Sequence, residues 1–287
     1  MPDCAALLPA LPVTNPIGVC SWSLQPASPE ELVERVRACG LDAVQLALDP
    51  LRTEAWDEGR TRRRLADAGI RVLSGMMGMA GEDYSTLETI KRTGGVRPDA
   101  TWDANRAAAV ENARLAARLG LDLVSFHAGF LPHEPGAERA KLVERLRVLC
   151  DVFAAEDVRV ALETGQETAE TLLAVLEEVD RENAGVNFDP ANMVLYDQSD
   201  PIDALRRLAP RVLQLHVKDA RRTRTPGTWG EEVPVGSGDV DWDAFLTIVR
   251  DHPLRGALVI EREAGAERVD DIRTAKYRVS HFPPASR

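Results

Sequence analysis

The sequence predicts an α/β fold, a single (β/α)₈ barrel, on three observations. Short apolar, β-rich runs alternate with longer amphipathic runs rich in Ala, Leu, Arg and Glu from one end to the other. Three of the helix-to-strand joints share one signature, "ACGLDAVQL", "DAGIRVLSG" and "RLGLDLVSF". The first strand, in "GVCSWSL", leads into no glycine-rich phosphate turn of the kind an open doubly wound sheet carries. Such alternation leaves a closed barrel or an open sheet, and 287 residues suit the barrel.

The predicted strands are Ile17–Cys20, Ala43–Leu48, Arg71–Met76, Leu121–His127, Val158–Glu163, Gly185–Asp189, Val212–Val217 and Ala257–Glu261. Helices are expected near 29–39, 59–68, 102–119, 137–156, 167–181, 200–208, 241–250 and 267–279. Ser28 followed by Pro29, Glu30 and Glu31 supplies an N-cap, a first-turn proline and early acids. Thr168, and the Asp200-Pro201 pair, mark two further starts. Gly40, Gly69 and Gly120 end helices by taking the left-handed position past the last turn. Two connections, 77–101 and 218–241, exceed the usual 2–6 residues. Both fall on the C-terminal face, where loops shape a substrate pocket; Trp229 in the second reads as a lid or interface residue. The barrel accounts for the whole chain, with residues 1–15 an N-terminal extension.

Composition narrows the function. The formal net charge is −11, and no basic run tracks a phosphate backbone, so nucleic acid is not an expected partner. No stretch approaches the roughly 20 apolar residues that cross a bilayer, and the N-terminus lacks the basic region of a signal peptide. Cys4, Cys20, Cys39 and Cys150 are scattered without a CxxC pair, which fits free thiols in a reducing cytoplasm. Association into a homo-oligomer is left open.

The strand ends carry the chemistry. Apolar runs stop at Glu163, Asp189, His216 and Glu261, and "LVSF" stops at His127. One glutamate at a strand end is ordinarily a salt-bridge or capping residue, and one histidine a structural one. A set spread over successive strands of a barrel converges at one rim. Three carboxylates there would repel one another and raise their own pKa values. A divalent cation removes that conflict. Carboxylates with one imidazole suit Mn²⁺ first, then Mg²⁺, Co²⁺ or Zn²⁺, and the lack of thiolate argues against a closed structural zinc site.

The ordered set "ALETG", "NFDPANM", "LQLHVKD" and "LVIERE", followed by "VPVGSGDVDW", resembles the sugar phosphate isomerase/epimerase group of xylose isomerase-like barrels. That group also includes ketose 3-epimerases, inosose dehydratases and type IV apurinic endonucleases. The resemblance runs from about Ile17 to Lys276 and implies that Glu163, Asp189, His216 and Glu261 are the metal ligands. It places Arg222 where epimerases have a substrate-binding arginine. Asn192 stands where epimerases and the endonucleases have histidine, a departure from both. The further histidines of a trinuclear zinc site are missing, which argues against DNA repair.

A cation so held would polarise the carbonyl of a hydroxy-ketone and stabilise the enediolate formed on proton loss. Glu163 and Glu261 come from strands separated by two others and are the expected proton-transfer pair. Epimerisation or isomerisation of a sugar or sugar-like polyol is the leading expectation. A lyase acting on an inosose or a 3-keto-glycoside is the alternative, and an inactive barrel serving as a binding module is a third. His127, Asn192, Lys218, Arg222 and Trp22 are the expected substrate contacts.

Overall fold

The structure, a computed structural model, describes residues 15–252 and 254–282. Ten strands occur among them: β1 (Ile17–Cys20), β2 (Ala43–Ala47), β3 (Arg71–Met76), β4 (Leu123–Phe126), β5 (Arg159–Glu163), β6 (Ala184–Phe188), β7 (Val212–Val217), β8 (Asp219–Arg221), β9 (Glu231–Val233) and β10 (Leu258–Ile260). Eight of them close into a barrel in the order β1-β10-β7-β6-β5-β4-β3-β2. All neighbours in the ring are parallel. Strands buried on both faces read as continuous apolar runs, not alternating ones, and this is why Val-Leu-Ala-rich stretches marked them in the sequence.

Helices return the chain between strands, among them Pro29–Ala38, Glu58–Asp67, Asp99–Leu119, Ala137–Ala154, Ala169–Val179, Pro201–Leu208, Trp242–Asp251 and Arg268–Ser280. Their apolar faces meet the outer side of the barrel, with Leu32, Leu65, Leu115, Leu146, Leu176, Leu205 and Phe245 buried in one core. The expected caps are present. Ser28 accepts a hydrogen bond from the Glu31 amide, Thr168 from that of Thr171, and Asp200 from those of Ile202 and Asp203.

The shared joint has a shared geometry. Gly40, Gly69 and Gly120 have φ of 68°, 69° and 72°. In each case the following amide reaches back to the final helical turn: Leu41 to Val36 O, Ile70 to Leu65 O, Leu121 to Ala116 O, at 2.9–3.2 Å. This six-to-one bond needs a left-handed residue at its centre, a conformation that costs glycine nothing.

Both long connections carry secondary structure of their own. The helix Leu87–Thr93 lies in the first, opened by a reciprocal Thr86–Thr89 capping box. The second folds into the antiparallel pair β8–β9, in register Asp219↔Val233. Of the expected N-terminal extension, residues 1–14, with Cys4, lie outside the described residues. Asn15 donates to the carbonyls of Leu254 and Gly256, at 2.5 and 2.6 Å, beside the start of β10.

Candidate active site

The four strand-end residues meet at the C-terminal mouth of the barrel. Glu163 ends β5, Asp189 follows β6, His216 lies within β7, and Glu261 follows β10. All are buried, and their donor atoms lie within 4.8 Å of one another. His216 Nδ1 faces three carboxylates: Glu261 Oε2 at 3.4 Å, Glu163 Oε1 at 3.5 Å and Asp189 Oδ2 at 3.6 Å. Metal–ligand bonds of roughly 2.0–2.2 Å would let one ion reach all four.

Two of these atoms, Asp189 Oδ2 and His216 Nδ1, are buried without a hydrogen-bond partner among the described residues. Such atoms are costly unless something else satisfies them. The remaining ligand oxygens are each held from outside, as is usual around a metal. Asp189 Oδ1 caps the helix Pro190–Leu195 through the Ala191 and Asn192 amides, at 2.8 and 3.0 Å. Glu163 accepts from Asn192 Nδ2 at 3.1 Å and Asn187 Nδ2 at 3.2 Å. Glu261 accepts from Trp22 Nε1 at 2.6 Å and Lys218 Nζ at 2.8 Å. The donor set and its unpaired atoms fit a divalent ion.

The far side of the imidazole is equally ordered. His216 Nε2 lies 2.8 Å from Gln45 Oε1, an atom that can only accept. Gln45 Nε2 in turn donates to Ser125 Oγ at 2.7 Å and to the Gly75 carbonyl at 3.4 Å, and a turned amide would set its oxygen against that carbonyl. Asn187 Nδ2 lies 3.0 Å from the same nitrogen but has Glu163 as its acceptor, so the nearer Gln45 oxygen assigns the hydrogen to Nε2 and leaves the Nδ1 lone pair for a cation. Gln45 and Asn187 each follow a register shift in the barrel, between Val44 and Gln45 and between Val186 and Asn187. Such irregularities re-aim side chains, and here both land against His216. Neither was singled out in the sequence, although each is a polar residue inside an apolar strand.

Charge follows from the packing. Burial works against ionisation of Glu163, yet His127 and His216 hold it below the usual carboxylate range. Burial likewise opposes Glu261, but Lys218 and His216 hold it well below. For Asp189 burial wins, and its carboxyl is raised. Burial disfavours a proton on His216, but the surrounding carboxylates raise its pKa well above the ordinary value. A positive charge is thus favoured at Nδ1, where a bound cation would supply it. Burial pushes the Cys20 thiol up, and its Sγ sits at the opposite nitrogen, 3.7 Å from His216 Nε2. With His216 and Glu261 it forms a second, three-residue group of close donors, but its sulfur lies at the ring nitrogen opposite the three carboxylates, and the four-residue group fits a divalent ion better.

Above these residues opens a cavity of about 520 Å³. Trp22, His127, Asn192 and Lys218 line it, as do Tyr196 at the end of the helix Pro190–Leu195 and Tyr84 and Trp229 from the long loops. His127 Nε2 lies 3.7 Å from Glu163. The loop after β5 presses on Asn192 because Gly165, at φ 141°, has no Cβ to collide with it. Lys218 Nζ bridges Glu261 and Glu263, at 2.8 and 2.7 Å. Arg222 is not in the cavity: its guanidinium pairs with Asp197 and reaches Ser199 O. Trp229 stacks edge-on against Tyr196, ring centres 4.8 Å apart. A second hollow, about 600 Å³, opens at the N-terminal ends of the strands beside Arg159, Val212 and Gly256, away from the carboxylate cluster.

Residues 33–277 match the family described as xylose isomerase-like TIM barrel. The chain belongs to that family. A solved xylose isomerase domain protein from Planctomyces limnophilus is 34% identical, with a TM-score of 0.82, over 87% of this chain and 91% of that one. The 3-dehydroshikimate dehydratase of Bacillus anthracis is 30% identical over 130 residues, 40% of this chain and 46% of the dehydratase. The chain thus aligns with less than half the length of the curated relatives it matches. An L-ribulose 3-epimerase structure, 17% identical, shares the fold with a TM-score of 0.72 over 93% of each chain.

Proposed function

We propose that this family member is a divalent-metal-dependent isomerase or epimerase of a sugar-like hydroxy-ketone, with Glu163 and Glu261 as the proton-transfer pair. The observation that carries the reading is the unpaired Asp189 Oδ2 and His216 Nδ1 among four buried donors within 4.8 Å, at the floor of an open cavity. Mn²⁺ is our first choice of ion, since hard oxygens and one imidazole suit it. A bound divalent ion polarises the substrate carbonyl and offsets the negative charge that develops as the neighbouring proton leaves.

The side chains divide the remaining work. Glu163 ends β5 and Glu261 follows β10, strands separated by β6 and β7, so the two carboxylates can approach a bound substrate from different sides. One carboxylate takes the proton from carbon, and the other returns a proton to the opposite face, which inverts the centre. Return to the adjacent carbon gives isomerisation. Trp22 and Asn192 keep the two carboxylates aimed, and the family's epimerase and dehydratase relatives support chemistry of this class. Free, buried Cys20, Cys39 and Cys150 support a reducing, cytoplasmic setting.

Lys218 supports a second reading. Its ammonium is buried at the cavity wall against Glu261, where it can protonate a departing hydroxyl, and elimination replaces proton return. Hydroxy-ketones incubated in deuterated buffer separate the outcomes. Isomerase or epimerase action incorporates deuterium beside the carbonyl, whereas a lyase yields an ultraviolet-absorbing enone. Glu261→Gln should retain bound metal and lose exchange. Exchange at the wild-type rate in that variant removes Glu261 from the proton-transfer role. Absence of any metal-dependent exchange or elimination favours a binding module.

A further inference from the structure

We propose that Glu232 is a built-in anion that occupies the place a substrate phosphate or carboxylate would take, so that the site selects uncharged polyhydroxy ketones. The inference rests on the cavity being the substrate site, and it specifies the class of substrate. Barrel enzymes commonly bind phosphate with backbone amides of the loops after the seventh and eighth barrel strands, here the loops after β7 and β10. In this chain each of those loops has two amides already taken by one of the protein's own carboxylates.

After β10, Glu232 Oε1 accepts from the Glu263 amide at 2.9 Å, the Ala264 amide at 3.2 Å and Arg262 Nη1 at 2.7 Å. Two consecutive amides and a guanidinium form an anion nest. The glutamate that fills it comes from β9, and its side chain is 9% exposed. After β7, Asp219 Oδ2 accepts from the Gly236 and Gly238 amides, at 2.7 and 3.1 Å, and from Trp242 Nε1 at 2.9 Å. The amides of Gly236, Gly238, Glu263 and Ala264 are thus occupied by the chain's own carboxylates.

The cavity wall repeats the message. Lys218, the one lysine or arginine lining it, is taken up by Glu261 and Glu263. Asp49, Glu82 and Glu232 add carboxylates around the mouth. Glu82 accepts from the Gly95 amide and the Tyr84 hydroxyl and has no ion-pair partner among the described residues. An anionic substituent entering here would meet like charge, and like-charge juxtaposition discriminates strongly. The aromatic rings of Tyr84, Tyr196 and Trp229 offer instead a surface for the apolar face of an uncharged sugar.

The test uses the full chain with Mn²⁺ and two matched pairs, D-xylulose with D-xylulose 5-phosphate and D-ribulose with D-ribulose 5-phosphate. Deuterium exchange beside the carbonyl and binding by calorimetry are both read. The uncharged member of at least one pair should bind and exchange at least about tenfold better than its phosphate ester. Glu232→Gln, which leaves Arg262 with Asp271 as its remaining counter-ion and removes the carboxylate from the nest, should narrow that ratio by improving the phosphate ester. Preference for the phosphate ester in the wild type overturns the inference while leaving the proposed function standing. An unchanged ratio in a folded Glu232→Gln removes the role of Glu232. If neither member of either pair binds or exchanges, this inference falls for these ketoses; silence with all other hydroxy-ketones as well is what overturns the proposed function. Should the variant fail to fold, the wild-type comparison still decides.

Discussion

His216 shows how much of the site is decided one hydrogen bond away from it. The ring is useful to a cation only if the proton sits on Nε2, and Gln45 Oε1 at 2.8 Å enforces that tautomer. Gln45→Leu should therefore weaken Mn²⁺ binding by about 10–100-fold, the usual cost of removing an outer partner of a ligand, with the fold intact by circular dichroism. Calorimetric affinity equal to wild type would remove Gln45 from that role. A separate residue-scale prediction concerns Glu167, which is 2% exposed and whose carboxyl is pushed by burial up to about 8. Between its ordinary 4.5 and that value the folded chain keeps a proton the unfolded chain has shed. Stability should fall as pH rises through this window, on the order of 1.4 kcal/mol per pH unit at most. Glu167→Gln should flatten the slope in urea titrations at pH 5 and pH 8, and an unchanged slope would contradict the assignment. At this scale the ionisable strand ends were legible because each interrupts an apolar run. Gln45 and Asn187 interrupt such runs too, but a neutral amide gives no reason by itself to look for a partner. Arg222, placed by the resemblance six residues beyond His216, pairs here with Asp197 outside the cavity lining.

Elements were legible in proportion to their length and caps. The barrel strands and the long helices announced themselves through apolar runs, N-caps and left-handed glycines. The helix Leu87–Thr93 had a readable signal, Thr86 as cap with Leu87 and Ile90 behind it and Gly94-Gly95 after, but two turns are too short to stand out from a loop. The β8–β9 pair, three residues a side, is held by side chains more than by its ladder. Asp219 is the fastener. Its carboxylate accepts from the amides of Ala220, Gly236, Gly238 and Val240 and from the Trp242 indole. Asp219→Asn turns an acceptor into a donor amid these donors and should cost about 1–3 kcal/mol, read as a lower melting temperature with faster proteolysis between 222 and 240. Unchanged melting would show that the loop is held otherwise. Glu232 reaches the cavity only because this pair folds over it, which no spacing in the sequence foretells.

For the molecule as a whole, closure of the barrel is what makes one site out of residues spread from Trp22 to Glu261. Alternation of strand and helix was enough to expect that closure, and closure was enough to expect convergence. The substrate was not legible, because specificity depends on which loop carboxylates face the cavity. The central claim is that Glu163, Asp189, His216 and Glu261 share one divalent ion. A crystal grown with Mn²⁺ and measured at the manganese absorption edge tests it most directly. The account predicts one anomalous peak at the barrel mouth, about 2.0–2.3 Å from His216 Nδ1 and from an oxygen of each carboxylate. A site at full Mn²⁺ concentration with no peak there, or a peak ligated through Nε2 or by other residues, would contradict it.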